Sequence, residues 1–352
     1  MTNQERVNIS TDRQLFLDDY WIERSKNVRR ELHSPIRRET AIAMDRPWED
    51  ENLVYMVTFW DKDKYRAWYR TGSGTKTGYA ESTDGINWEK PELGIIDFNG
   101  SKNNNLVWDG HGGNMSLFKD PNRDVKKDEL YKAFVVGSTW NIFGLTSPDG
   151  LNWKLKQEEP ILDEGPFDSH NIVFWDTWKK EYVAYTRGVA NSNIGPVTNL
   201  LAYKAYKDKV ASGEIRQAIG HEFLGGVRSI RHTTSADFAN WRPLHNITYG
   251  ETPAEHFYTN SCIQYDRAPG TYLMFPSRYV HHRMPDPDWF DGTGLNDIVL
   301  ISSRDGINFD RSFMEAFIRP GIDTRNWHER GIYFQHGIFQ TSPGELSMYV
   351  TE

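Results

Sequence analysis

Acids, histidines and arginines that could do chemistry gather at a few points of this 352-residue chain. Glu49, Asp50 and Glu51 follow Pro47 and Trp48; Asp109, His111 and Asn114 come next; then Asp168, His170 and Asn171; then Glu255, His256, Tyr258 and Asn260; and last His328, Glu329, Arg330, Tyr333 and His336. Carboxyl groups set among histidine, tyrosine and arginine suit general acid–base or nucleophilic chemistry once a fold brings them together.

The chain repeats itself at long range, the mark of stacked units that cannot bury their own faces alone. Ser82-Thr-Asp-Gly-Ile-Asn-Trp88, Ser147-Pro-Asp-Gly-Leu-Asn-Trp153, Ser235-Ala-Asp-Phe-Ala-Asn-Trp241 and Ser303-Arg-Asp-Gly-Ile-Asn-Phe309 are one box written repeatedly. Upstream of the boxes stand Trp60-Asp61, Lys119-Asp120, Trp175-Asp176 and Tyr265-Asp266, each followed by an aromatic run from Tyr65, Tyr131, Tyr182 or Tyr272. Each unit reads as an apolar strand, an Asp-bearing turn, an aromatic strand, a third strand ending in the box, and a short fourth strand starting at its Trp or Phe. That is a four-stranded antiparallel blade.

The expected fold is all-β, a five-bladed β-propeller forming one domain over residues 1–352. Blade one covers 47–94, blade two 105–156, blade three 167–243 with a long loop at 188–227, and blade four 255–312. Strands from 1–46, at Gln14–Ile22 and Val28–His33, join inner strands from 327–352 in a fifth blade that closes the ring.

Alternating strand direction sorts the residues between two ends. The Asp residues of the turns and boxes belong to one end, where they read as caps on backbone N–H groups. The clustered acids and histidines belong to the other, with Arg70, Arg187 and Arg278 at the ends of second strands. Two long loops, 188–227 with a helix-like stretch at 199–211 and 279–296, join that end as walls or a lid.

Composition narrows the partners. Net charge is −8 with the two signs interspersed, which argues against nucleic acid. The single Cys262 excludes an internal disulfide framework and reads as a buried strand residue. No apolar window of about nineteen residues appears, so no membrane span is expected, and the polar start gives no secretory signal. Cytoplasmic is the literal reading, with a periplasmic or secreted protein expected if a signal has been removed. Thirteen Trp include seven outside both repeated motifs, and flat aromatic faces suit pyranose rings. Neither a His-x-x-x-His or Cys-x-x-Cys metal spacing nor a phosphate-binding loop is present.

At this point the chain resembles the five-bladed propeller glycoside hydrolases of the broad type that contains families 43, 32, 68, 117 and 130. The boxes, the unit count and the acids before inner strands carry the likeness. Leu15-Phe-Leu-Asp-Asp-Tyr-Trp-Ile22, Pro47-Trp-Glu49 and Phe275-Pro-Ser-Arg278 look like a bacterial family-32-like subgroup. The resemblance implies a terminal sugar cleaved from an oligosaccharide by a carboxyl pair, one protonated and one ionised. Glu255 is the candidate acid, Glu49 the base or nucleophile, and Asp168 the orienting carboxylate; the family's second-blade acid has no counterpart here. Glu51, His170, Arg187, His256, Tyr258, Asn260, Arg278, Arg330 and Tyr333 are the expected substrate contacts, with a histidine an alternative acid. The arginines suit a uronate or sulfate, and their pairing with blade acids is the competing account. No cofactor is expected to be required; His336 stands where related propellers place a histidine beside a hydrated calcium. A non-catalytic sugar-binding propeller and a sialidase-like enzyme are the alternatives.

Overall fold

The computed structural model describes residues 9, 11, 13–50, 53–190, 208–209, 212–214, 227–284, 294–327 and 331–351. Its elements are strands plus two short 3-10 turns. The first sheet runs β1 (Met56–Asp61), β2 (Lys64–Thr71), β3 (Lys76–Ser82) and β4 (Leu106–Asp109) in sequence order. The second is β5 (Ser116–Lys119), β6 (Tyr131–Val136), β7 (Ile142–Ser147) and β8 (Lys154–Leu155). The third is β9 (Ile172–Asp176), β10 (Glu181–Ala190), β11 (Val227–Ser235) and β12 (His245–Asn246). All three are four-stranded antiparallel sheets, as the repeat implies.

The fourth unit is split. Its near half holds β13 (His256–Phe257), β16 (Ser277–Val280) and β17 (Leu295–Ile298), and its far half β14 (Ile263–Gln264), β15 (Tyr272–Met274), β18 (Ile301–Ser303) and β19 (Phe309–Asp310). Pro276 lies at the break and has no N–H to give the ladder, and Ser261 beside it takes a positive φ of 42°. Single bonds such as Phe275 N–H to Asn260 O, 2.9 Å, stitch the halves together. The last unit is two strand pairs, β20 (Tyr333–Phe334) with β23 (Val350–Thr351) and β21 (Phe339–Ser342) with β22 (Glu345–Ser347).

The structure departs from the expected strands in two places. The first sheet's outer strand is not the segment after Trp88, which makes only a Glu81–Glu89 bridge; the chain loops out and returns as β4. Asp109 therefore ends an outer strand and pairs with Lys76, 2.5 Å away, instead of opening the second unit's inner strand. Residues 13–50 hold no strand either. Side chains anchor them: Leu15, Leu17 and Leu32 pack on the cluster containing Phe275, Phe317 and Phe334, and Arg304 grips Asp18 at 2.9 and 3.0 Å.

Hydrogen bonds between units repeat as regularly as the sequence. The box Asp accepts from the two N–H groups beyond it, at 2.8 Å each for Asp84 and Asp149, while the box Ser accepts from the Asp and Gly N–H groups. Burial opposes ionisation of Asp237, yet the donors from Asn240, Ala239 and Ser235 outweigh it and bring its carboxyl down to about 2. The Gly carbonyl of a box takes a bond from the preceding unit's second strand: Trp68 to Gly150 at 2.7 Å and Tyr185 to Gly306 at 2.7 Å.

The turn acids do more than cap. Asp61, Asp120 and Asp176 are buried, and each accepts the phenol of the next unit, from Tyr131, Tyr182 and Tyr272. A carboxylate–phenol bond of this kind is worth about 2 kcal/mol. Asp266 is not their counterpart. Tyr272 pairs with Gln264 as Tyr65 pairs with Trp60, so the register places Tyr265 at the Asp position and leaves Asp266 exposed one residue beyond.

The last unit bonds to the first. Thr58 N–H reaches His336 O and His336 N–H reaches Met56 O, both at 2.8 Å, while Tyr65 donates to Gln340 O at 2.8 Å and Tyr349 to Gly85 O.

Candidate functional site

The residues just before the inner strands meet at the end opposite the Asp turns. Tyr55 precedes β1, Asp168 to His170 precede β9, Tyr258 follows β13, and Tyr333 opens β20. The Tyr55 phenol donates to the Tyr258 hydroxyl at 3.2 Å, its ring stacks on His170 at 5.1 Å, and Tyr333 meets both tyrosines edge-on at 6.3 and 6.1 Å. Burial, with Tyr258 and Tyr333 adjacent, drives the Tyr55 phenol far above its ordinary range, so it stays protonated.

Asp168 is the acid of this cluster. Its carboxylate accepts from the buried Arg187 guanidinium, yet its side chain keeps 31% exposure. The guanidinium lies 5.2 Å from the Tyr258 ring, whose hydroxyl donates to the Asp168 backbone carbonyl at 3.1 Å. Arg187 in turn is fixed through its N–H to the Asn171 side chain, 3.0 Å. A carboxylate ion-paired on one side and open to solvent on the other can accept a proton or attack.

His170 is enclosed. Its Nε2 lies 3.2 Å from Met115 O, an acceptor, so Nε2 carries the proton, and burial lowers the ring to about 4. The neutral ring is favoured, and its one N–H is engaged by the Met115 carbonyl. Asn260 is structural, its amide bonded to Tyr185 O and His170 O and accepting from Cys262 N–H. Cys262 is buried, as expected, but stands just before β14 and not within a strand.

The two glutamates given catalytic roles sit differently. Glu49 accepts from the Asp45 and Arg46 N–H groups at 2.8 and 3.0 Å, from Lys90 at 2.7 Å and from Tyr69 at 2.5 Å, with no side-chain exposure. Those four donors consume the carboxylate, and its geometry is that of a loop staple. Glu255 takes Arg278 on one oxygen, 2.7 Å, and Arg311 on the other, 3.0 Å. Each oxygen thus gives one lone pair to a guanidinium, and the side chain keeps 15% exposure. Strand alternation also sets Glu255 with Phe257 on one face and His256 with Tyr258 on the other.

Arg278 completes a charge network with Asp297, 2.9 Å on each oxygen, which also accepts from Arg283 at 3.1 Å. Two of the three expected anion-binding arginines, Arg187 and Arg278, thus pair with acids of neighbouring segments. Arg70 differs: its buried Nε meets no hydrogen-bond acceptor among the described residues. His256 Nδ1 accepts the Arg228 N–H at 3.2 Å, and the Arg228 guanidinium lies 4.4 Å from Tyr279 and 6.0 Å from Tyr258. Glu51 and Arg330 lie outside the described residues, as does nearly all of the 188–227 loop with its helix-like stretch.

Tyr55, Arg228, Asp297 and Arg311 were not singled out from the sequence. Asp297 carried a usable signal, because it stands directly opposite Arg278 in the β16–β17 pairing. His336 lies between β20 and β21, bridged to Val57; its buried Nδ1 meets no hydrogen-bond partner among the described residues, and burial beside His170 lowers the ring to about 3. Among the described residues no three His, Cys, Asp or Glu side chains gather as metal ligands.

No family model matches the chain. Two uncharacterized proteins of Mycobacterium tuberculosis, from strains CDC 1551 / Oshkosh and ATCC 25618 / H37Rv, are 26% and 27% identical over 145 residues, 38% of this chain and 41% of each relative. The match thus spans less than half the length of these relatives. Among solved structures, a glycoside hydrolase superposes with a TM-score of 0.53 at 13% identity, covering 86% of this chain and 85% of that one. A thermostable family-43 glycoside hydrolase gives 0.50 at 12% identity over 82% and 80%. An N-acetylgalactosamine deacetylase from F. plautii, in complex with blood group B trisaccharide, gives 0.50 at 12% identity over 91% and 84%. The shared property is the fold, the all-β propeller type of glycoside hydrolases.

Proposed function

We propose that the chain is a five-bladed propeller, closed by the bonds from its last unit to its first, and a glycoside hydrolase that takes a terminal sugar of an oligosaccharide at the Asp168 end. The observation that carries this is a half-open carboxylate, Asp168, held by a buried arginine within a wall of tyrosines supplied by several units. Tyrosine faces cover the apolar side of a pyranose, and Asp168 is placed to act as base or nucleophile. Glu255 is reassigned from acid to positioning residue, because both its oxygens serve guanidinium groups. The proton donor then falls among the other acids that the sequence groups with Asp168, which are Asp50, Asp109 and, outside the described residues, Glu51 and Glu329. The anionic-substrate reading rests on Arg70, since Arg187 and Arg278 are paired.

A second reading, a non-catalytic sugar-binding propeller, is favoured by the same scarcity: Asp168 stands without a second free carboxylate among the described site residues. Reducing-end release from neutral and uronate-bearing oligosaccharides, measured for the protein and for Asp168→Asn, separates the two. Turnover lost in the variant supports the hydrolase; binding without turnover in both proteins overturns it.

A further inference from the structure

The end of the propeller at the Asp turns holds residues that the Asp168 site does not use. Five chain segments line a cavity of about 780 Å³ there: the ends of β1, β5, β9 and β14, and the chain from His336 to Gln340. Register explains what it holds. Trp60 pairs with Tyr65, Lys119 with Tyr131, Trp175 with Tyr182 and Gln264 with Tyr272, so the residue before each turn occupies the same place in successive units and turns to the cavity.

At two of these places the residue is tryptophan. Trp60 packs edge-on against Tyr65 at 4.7 Å and 72°, and Trp175 packs edge-on against Tyr182 at 4.8 Å and 72°. The two indoles are thus fixed in one pose by the same tyrosine of the repeat. Trp60 nevertheless keeps 49% exposure, a large apolar area for an inner strand to leave in water. Core packing does not account for it.

We infer that this cavity binds a neutral saccharide, with Trp60 and Trp175 as stacking platforms. Charge decides the class. The ammonium of Lys119 is 2.5 Å from Asp61 and so neutralised, while Asp266 stands exposed at the rim and repels an anion. Pre-set aromatic faces bind sugar rings at little entropic cost. The site shares no residue with the Asp168 cluster and does not depend on that cluster being catalytic.

Calorimetric titration with four neutral hexasaccharides (cello-, xylo-, manno- and laminari-) and with hexagalacturonate tests it, using Asp168→Asn so that turnover does not intervene and the tryptophan variants below to separate this cavity from the opposite end. At least one neutral hexasaccharide should bind; Trp60→Ala and Trp175→Ala in the same background should each weaken it roughly tenfold or more, and Trp60→Tyr should recover part of the loss. Unchanged circular dichroism and melting temperature separate a lost platform from a misfolded one. The inference is overturned if none of the neutral probes binds, if binding ignores both tryptophans, or if hexagalacturonate binds better than the neutral probes. Failure of the hydrolase reading would leave these results unaffected.

Discussion

The two ends of the propeller use the same residue types to opposite effect. At the turn end, Asp61, Asp120 and Asp176 are buried and saturated, each taking a phenol from the next unit together with a lysine, arginine or backbone donor. At the other end, Asp168 keeps part of its surface in water although its arginine is buried. Glu49 lies near that end but follows the saturated pattern, while Glu255 holds one guanidinium on each oxygen. Chemistry needs a lone pair left over, and by that measure location at the mouth is insufficient.

The sharpest break between saturated and open acids should be kinetic. Asp168→Asn keeps the shape and loses the charge, so kcat is expected to fall about a thousandfold or more, some 4 kcal/mol of barrier. Glu255→Gln should instead lower the melting temperature by loosening Arg278 and Arg311, with KM shifted more than kcat. Should Glu255→Gln abolish kcat with its stability unchanged, the contrast would be reversed and the acid role restored.

Next in size is stability at the turn end. Asp120 holds the buried Lys132 ammonium at 2.8 Å and the Tyr182 phenol at 2.7 Å. Asp120→Ala leaves that ammonium only the more distant Glu129 carboxylate, 3.9 Å away, a loss of about 3 kcal/mol, and Tyr182→Phe a smaller loss of about 2 kcal/mol. Urea denaturation measures both. Equal, small losses would mean that the staple between units is decorative.

Much of this architecture was legible because it is local. The boxes fix their own turns through bonds spanning two or three residues, and the aromatic strands follow from alternation. Errors came where distant residues decide. Tyr265-Asp266 looks like Trp60-Asp61, yet the longer turn before Tyr272 shifts the register by one residue and turns Asp266 out. Glu49 is neutralised by Lys90, 41 residues on, and Glu255 by Arg311, 56 residues on. No spacing rule reveals such partners. Gln14–Ile22 has the alternation of a strand, but its binding comes from Arg304 across the fold and not from a neighbouring ladder.

Buried histidines extend the contrast to pH. Burial lowers His170 and His232 to about 4 and His336 to about 3, against about 6.5 in an unfolded chain. Between those values the unfolded chain binds protons that the folded one refuses. Stability is therefore complete above about pH 6.5 and declines as pH falls toward 4, by up to about 1.4 kcal/mol per pH unit for each histidine. Urea midpoints at pH 7, 6 and 5 follow the decline, and His232→Gln should flatten it by roughly a third. A pH slope unchanged in that variant would show that His232 titrates normally.

The smallest effect tests whether the boxes are interchangeable. Three of them place Gly at a positive φ, 74° at Gly85, 80° at Gly150 and 75° at Gly306, whereas the third places Phe238 at 66°. A side chain there costs about 1 kcal/mol in backbone strain, which Phe238 offsets by filling the core beside Phe134 and Tyr182. Asp149→Ala removes the acceptor for two N–H groups in an ordinary box and should cost about 1 kcal/mol. The same change at Asp237 should cost more, because there the cap also holds a strained residue in place. Equal losses in a thermal melt would show that the φ of Phe238 is fixed by the packing of its ring alone, with the box contributing nothing to it.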